Sequence, residues 1–145
     1  MEDAITKEIT VNAPIQTVWD VITRPEHMTK WFAETAAYTP NLGAKGSLGW
    51  SGMADAPIEI TAMDEPHTFA FNWVAPDEET VDTQNKTLIT FLLEETGDAR
   101  TRVQVTESGF SKLAIADEQK KSLMDKHTSG WSYFLGKLDE YAQSL

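Results

Sequence analysis

The spacing of apolar residues changes along the chain, and each change marks a new kind of element. From 4 to 11 the period is two, with Ile5, Ile9 and Val11 on one side and Ala4, Thr6, Glu8 and Thr10 on the other, broken only by Lys7. This predicts a first strand. Pro14 suits the first turn of a helix whose apolar side is Val18, Trp19, Val21 and Ile22, and Thr23-Arg24-Pro25 interrupts it. Pro25 then opens a second short helix over 26–32, with Met28, Trp31 and Phe32 inward. From Ala33 to Glu107 the period returns to two. Strands are predicted at 34–39, 46–51, 57–63, 68–75, 86–95 and 100–107, separated by turn formers such as Asn41-Leu42-Gly43, Asp64-Glu65-Pro66 and Thr96-Gly97-Asp98. From Asp117 to Leu145 the steps become three and four, through Leu123, His127, Trp131, Phe134, Leu138, Tyr141 and Leu145, the stripe of one long amphipathic helix.

These elements imply one another. The strand alternation puts Leu48, Trp50, Ile58, Ile60, Phe69, Phe71, Trp73, Ile89, Phe91, Leu93, Val103 and Val105 on one face, and Glu59, Thr61, Asn72, Thr90, Leu92, Arg102, Gln104 and Thr106 on the other. A helix of this length spans roughly 40 Å at 1.5 Å per residue, so what covers its stripe must be nearly as long as a small domain. The expected fold is α+β: an antiparallel sheet of about seven strands packed by one face on the C-terminal helix, with two short helices after the first strand. Residues 1–145 read as a single domain. Gly43, Gly46, Gly49 and Gly52 recur every third residue around Ser47, Leu48 and Trp50 without the Lys-Ser/Thr or following helix of a phosphate loop. They indicate a turn and a strand bent by bulges. The stretch 75–86, with Asp77, Glu78, Glu79 and Asp82 but no calcium-loop spacing, reads as a solvated, mobile loop.

Composition narrows the function. A net charge of −11 provides no basic stripe for nucleic acid or an anionic membrane surface. The chain has no cysteine, which excludes disulfides, thiolate metal sites and a cysteine nucleophile. His27, His67 and His127 lack metal-ligand spacing, so neither a metal nor another cofactor is expected. The opening residues lack the features of a secretory signal, and no apolar run approaches the roughly 18 residues of a membrane span, so a cytoplasmic location is expected.

The order of motifs resembles a known family. Val11-Asn12-Ala13-Pro14 followed by Val18-Trp19-Asp20, then Thr23-Arg24-Pro25-Glu26-His27 and Trp31-Phe32, is similar to the opening signature of the activator of heat-shock protein 90 ATPase homologue family, within the START-like (SRPBCC) superfamily. Pro66 before 69–73, Thr101-Arg102-Val103, Thr106-Glu107-Ser108-Gly109-Phe110 and Gly130-Trp131 with Leu135 and Leu138 resemble its closing signatures, in the same order. The resemblance covers essentially the whole chain. It implies a helix-grip fold, in which a curved sheet wraps the long helix and relatives hold lipids, sterols, polyketides or other apolar molecules in a cavity between them. The Asn-Asn-Trp-His-Trp type motif of the eukaryotic activator has no counterpart in this sequence.

A cavity of that kind draws its lining from the inward strand residues and the helix stripe: Trp31, Phe32, Trp50, Phe71, Trp73, Phe91, Val105, Phe110, Trp131, Phe134 and Leu135. In this scheme Trp31 and Phe32 close one end, Trp73 and Phe91 form a wall, and Trp131 and Phe134 the floor. The same rings can instead simply fill a core. Two polar residues have two readings each. His127 is either a hydrogen-bonding handle for a ligand hydroxyl or carbonyl, or a histidine satisfied by a neighbouring strand or water. Glu107 either faces the cavity mouth or caps backbone amides where its strand ends. No nucleophile elbow surrounds Ser108, so catalytic residues are not assigned, although His127 with Glu107 is the one pair an acid-base reaction could use. The expected partner is a small apolar molecule, with a chaperone or other protein bound through the outer sheet face or the acidic stretch 77–82 as the alternative, a cyclase-like enzyme as a third reading, and a homodimer through a strand edge compatible with any of them.

Overall fold

A computed structural model describes residues 3–74 and 86–145. The acidic stretch 77–82 and the loop predicted around it lie outside the described residues. Strand β1 (Ala4–Val11) leads through α1 (Ile15–Thr23) and α2 (Pro25–Trp31) into β2 (Thr35–Ala37), β3 (Lys45–Gly49), β4 (Ala56–Asp64), β5 (Thr68–Trp73), β6 (Thr87–Gly97) and β7 (Arg100–Ser108), and the chain ends in α3 (Asp117–Gln143). One turn of 3-10 helix at Phe110–Lys112, which has no periodic signal in the sequence, joins β7 to α3.

All neighbouring strands are antiparallel, in the order β1-β7-β6-β5-β4-β3-β2. The meander from β2 to β7 is therefore closed by β1, which pairs along its full length with β7, from Ala4 opposite Ser108 to Val11 opposite Thr101. The two short helices carry the chain from one sheet edge to the other. Proline sets their limits: Arg24, held extended before Pro25, stops α1, and Pro25 starts α2. The Trp31 indole N–H donates to the Val21 carbonyl at 2.9 Å and fixes α2 against α1. Register shifts between Ile60 and Ala62 and between Glu95 and Gly97 provide the bulges that bend the sheet. They do not fall in the glycine series. Gly43 and Gly52 instead take positive φ in turns, and at Gly46 and Gly49 a Cβ would collide with β2 and its neighbours.

Alternation of the strands places the predicted apolar face inward, and all its members are buried except Trp50, which is half-buried. On α3 the buried series is Leu123, His127, Trp131, Leu135, Leu138 and Ala142, while Phe134 and Tyr141 flank it and Leu145 is exposed. Geometry explains the change from the predicted stripe. At 3.6 residues per turn a step of four overshoots by about 40°, so successive fours drift around the helix until one step of three corrects them. Here that correction comes between Leu135 and Leu138. Asp117 and Glu118 sit in the first turn, where acidic side chains complement the helix dipole, and Gln119 Oε1 accepts from the Ala116 amide at 3.0 Å. Among the described residues, no helix is long and apolar enough to cross a membrane.

Candidate functional site

The sheet brings a carboxylate into the interior. Thr101, Val103, Val105 and Glu107 alternate on the inward face of β7, so period two turns Glu107 inward with two valines. Glu107 lies opposite Ile5 on β1 and Ile89 on β6, and its exposure is 0%. On the next strand pair, Trp73 of β5 stands opposite Thr87 of β6. From α3, His127 and Trp131, four residues apart, project to the same place.

These side chains converge on the carboxylate. The Trp131 indole donates to Glu107 Oε1 at 2.9 Å, and the Thr87 hydroxyl to Oε2 at 2.6 Å. The Trp73 indole donates to both Glu107 Oε2, at 3.2 Å, and Thr87 Oγ1, at 2.9 Å. His127 Nδ1 lies 2.8 Å from Oε1 and 3.0 Å from Oε2. An indole nitrogen can only donate, and a threonine hydroxyl that receives from Trp73 has its own proton left for Glu107. The Glu107 oxygens accept from the two indoles and the threonine hydroxyl, one proton between Glu107 and His127 Nδ1 completes the cluster, and among the described residues no buried side-chain nitrogen or oxygen lacks a partner. Burial of a carboxylate is tolerable only with such an inventory, since taking the ion out of water costs several kcal/mol. Among the described residues, Glu107 therefore accepts from side chains, and no backbone amide there is capped by it, the alternative its place at a strand end suggested.

In front of this cluster, between the sheet and α3, lies a pocket of about 220 Å³ lined by Phe32, Trp50, Met53, Trp73, Lys126, His127, Gly130, Trp131 and Phe134. Phe32, which ends α2, is its hub. The ring stacks on Trp131 (centroids 5.3 Å, interplanar angle 10°) and meets Trp50 (5.2 Å, 88°) and Phe134 (4.9 Å, 77°) edge to face. The Trp50 indole donates to the Phe32 carbonyl at 3.0 Å. All three indole N–H groups of the lining are thus committed to protein acceptors, so the tryptophans present carbon to the pocket. Such a wall suits flat apolar surface, which is recognised by ring contacts and exclusion from water.

Of the residues expected from the sequence to line a cavity, Phe32, Trp50, Trp73, His127, Trp131 and Phe134 come together in this lining. The other expected lining residues are elsewhere. Trp31, Phe71, Phe91, Val105, Phe110 and Leu135 are at most 2% exposed and fill the core, Phe91 by its edge-to-face contacts with Trp31 and Trp131. The predicted wall of Trp73 and Phe91 is therefore Trp73 with Trp50, and Glu107 stands behind it. Three lining residues escaped sequence reasoning. Gly130, a glycine in the middle of a helix beside Trp131, carried a signal; Lys126 and Met53 carried none. His27 is bonded to Tyr141 Oη through Nδ1 at 2.6 Å, and His67 Nδ1 lies 3.2 Å from the Leu93 carbonyl, so the three histidines stay apart. No group of three metal-ligating side chains occurs among the described residues.

A family model described as activator of Hsp90 ATPase homolog 1-like protein matches residues 12–143. No curated protein matches the chain in sequence. Among solved structures, DynU16, from the dynemicin biosynthetic locus, superposes with a TM-score of 0.76 at 20% identity over 99% of this chain; the chain spans about half of that protein, 48%. An HSP90 activator from Plasmodium falciparum gives 0.75 at 17% identity, covering 97% of this chain and 96% of its own. The Aha1 dimer from Colwellia psychrerythraea gives 0.73 at 18% identity, covering 96% and 95%. At these identities the likeness concerns the fold, which is START-like and helix-grip.

Proposed function

The chain belongs to the activator of Hsp90 ATPase homolog 1-like family, and from that premise we propose that it binds a small, mostly apolar molecule of lipid, polyketide-like or aromatic type between the sheet and α3. The pocket carries this reading. Its roughly 220 Å³ exceeds the ~150 Å³ in which a dry apolar cavity accepts benzene, yet falls below the ~300 Å³ at which drug-sized sites begin. One or two fused rings fit, or the ring-bearing end of a longer molecule. Burying roughly 200 Å² of ring surface at about 25 cal/mol per Å² gives about 5 kcal/mol of apolar driving force, against which stands the cost of immobilising the ligand. The test is native mass spectrometry of protein purified gently from its own host, beside the same sample denatured. Excess mass that disappears on denaturation supports binding; a bare polypeptide mass that persists after incubation with lipid and polyketide extracts counts against it.

A second reading, as a protein-binding module, is supported by the names of two similar structures, an HSP90 activator and an Aha1 dimer, and by the open sheet edges at β1 and β2. Equilibrium sedimentation across a hundredfold range of concentration tests its homodimer form. A mass that stays monomeric throughout removes that form.

A further inference from the structure

The carboxylate behind the pocket wall is out of reach of a ligand, yet it controls what the wall presents. Three of the lining side chains, Trp73, His127 and Trp131, are hydrogen-bonded to Glu107, and two of those bonds consume indole N–H groups that could otherwise point into the pocket. The third lining tryptophan, Trp50, has its N–H on the Phe32 carbonyl. We propose that Glu107 is the specificity-determining positioning residue of this pocket: by drawing the Trp73 and Trp131 donors away from it, the carboxylate makes the face formed by these two rings hydrocarbon and selects ligands whose ring bears no hydrogen-bonding atom where it meets that face. This rests on the binding reading above and names the ligand class within it.

The physical basis is the asymmetry between made and unmade hydrogen bonds. A ring nitrogen pressed against the face of Trp73 and Trp131, whose N–H groups are already engaged, loses its water and gains nothing there, whereas a plain ring loses nothing. The same carboxylate also fixes rotamers. Each indole has one N–H, so directing both at one buried oxygen pair orients both rings about an axis that packing alone leaves less defined. Thr87 assists by bridging the Trp73 N–H and Glu107 Oε2.

Naphthalene and quinoline form the discriminating pair, since they are nearly the same shape and differ by one acceptor nitrogen in place of C–H. Both are titrated into the protein with tryptophan fluorescence as the signal, in the unaltered chain and in Glu107→Gln. The unaltered chain is expected to prefer naphthalene by about tenfold or more. In Glu107→Gln one amide oxygen and one NH₂ replace the two acceptor oxygens, so an indole N–H is released, and the preference is expected to shrink at least threefold. A merely structural Glu107 would lower the melting temperature without moving this ratio. As the control for instability, Val105→Ala, a buried residue outside the lining, is expected to lower the melting temperature and leave the ratio intact. If Glu107→Gln does not fold, Glu107→Asp, whose shorter side chain draws the carboxylate back from the Trp73 and Trp131 N–H groups, is measured in its place with the same expected direction. Equal affinity for the two probes in the unaltered chain, or an unchanged ratio in the folded variant, overturns the proposal. Binding of neither probe overturns the binding reading itself.

Discussion

Gly130 separates stability from binding. It lies in the interior of α3 and lines the pocket, and a Cβ built there meets nothing within 4 Å among the described residues. Gly136 lies in the same helix, equally unobstructed, but it is exposed and outside the lining. Glycine in a helix interior is less favourable than alanine by about 1 kcal/mol, through the extra backbone freedom it loses on folding. Both Gly130→Ala and Gly136→Ala are therefore expected to stabilise by about 1 kcal/mol, which raises Tm by roughly 3 °C in a chain of this size. Larger side chains divide the two sites. Position 130 falls between His127 and Phe134 at steps of three and four, on the face that borders the pocket, so Gly130→Leu introduces four carbons into about 220 Å³. It is expected to fold and to bind naphthalene at least tenfold more weakly, while Gly136→Leu binds as the unaltered chain does. Thermal unfolding followed by circular dichroism, with fluorescence titration of naphthalene, measures both effects. Unchanged affinity in Gly130→Leu would refute the assignment of the pocket, and a lower Tm in Gly130→Ala would refute the claim that the space beside the helix is open.

Other substitutions test the frame that holds the site. Leu138, at 0% exposure, is the deepest apolar contact of α3 with the core, and Leu138→Ala is expected to cost about 2–5 kcal/mol in urea unfolding; a loss below 1 kcal/mol would mean that the helix is not gripped as described. Gly46 packs so closely on the strand before it that a Cβ would stand 2.6 Å from the Tyr38 Cβ, so Gly46→Ala is expected to destabilise by about 1–3 kcal/mol, and a neutral effect would contradict the pairing of β2 with β3. Asp3 ties the N-terminus to the 3-10 turn: Oδ1 accepts from the Ser111 hydroxyl and amide, at 2.5 and 2.9 Å, and these bonds hold its carboxyl below the ordinary value. Because the folded value is depressed, the stabilisation is present above the unfolded value of about 3.9 and is lost as pH falls through the folded one. Asp3→Asn should therefore unfold at lower urea than the unaltered chain at pH 7, with the gap closing below about pH 4; a gap that persists at pH 2 would show that the charge is not its source.

Much of this was legible in the sequence because the sheet is half-buried and antiparallel. One apolar face alternating with one polar face gives every strand a period-two signature, and β1, β4 and β7 fall within a residue or so of their predicted ends. Where a strand is too short to alternate, the signal weakens: 34–39 contracts to the three residues Thr35–Ala37. Periodicity also identifies inward faces without saying which inward side chains touch each other and which border a gap. Phe91 and Trp73 carry the same signature, yet one is core and the other is pocket wall, because that outcome depends on ring orientations contributed by α2, β5, β6 and α3 together.

Glu107 shows where the missing information resides. Its inward position follows from the alternation with Val103 and Val105, but its role depends on donors that β5, β6 and α3 contribute, 20 to 34 residues away in sequence. Each donor alone is compatible with an ordinary core position: a tryptophan where phenylalanine would pack, a threonine where valine would, a histidine within a stripe of leucines. Apolar substitutes at all four would fill similar space and leave the carboxylate buried without a partner, which several kcal/mol of desolvation forbids. The polar tips at 73, 87, 127 and 131 are thus explained jointly by the acid at 107, and the pocket that Trp73, His127 and Trp131 border inherits the hydrocarbon face of its two tryptophans from that requirement.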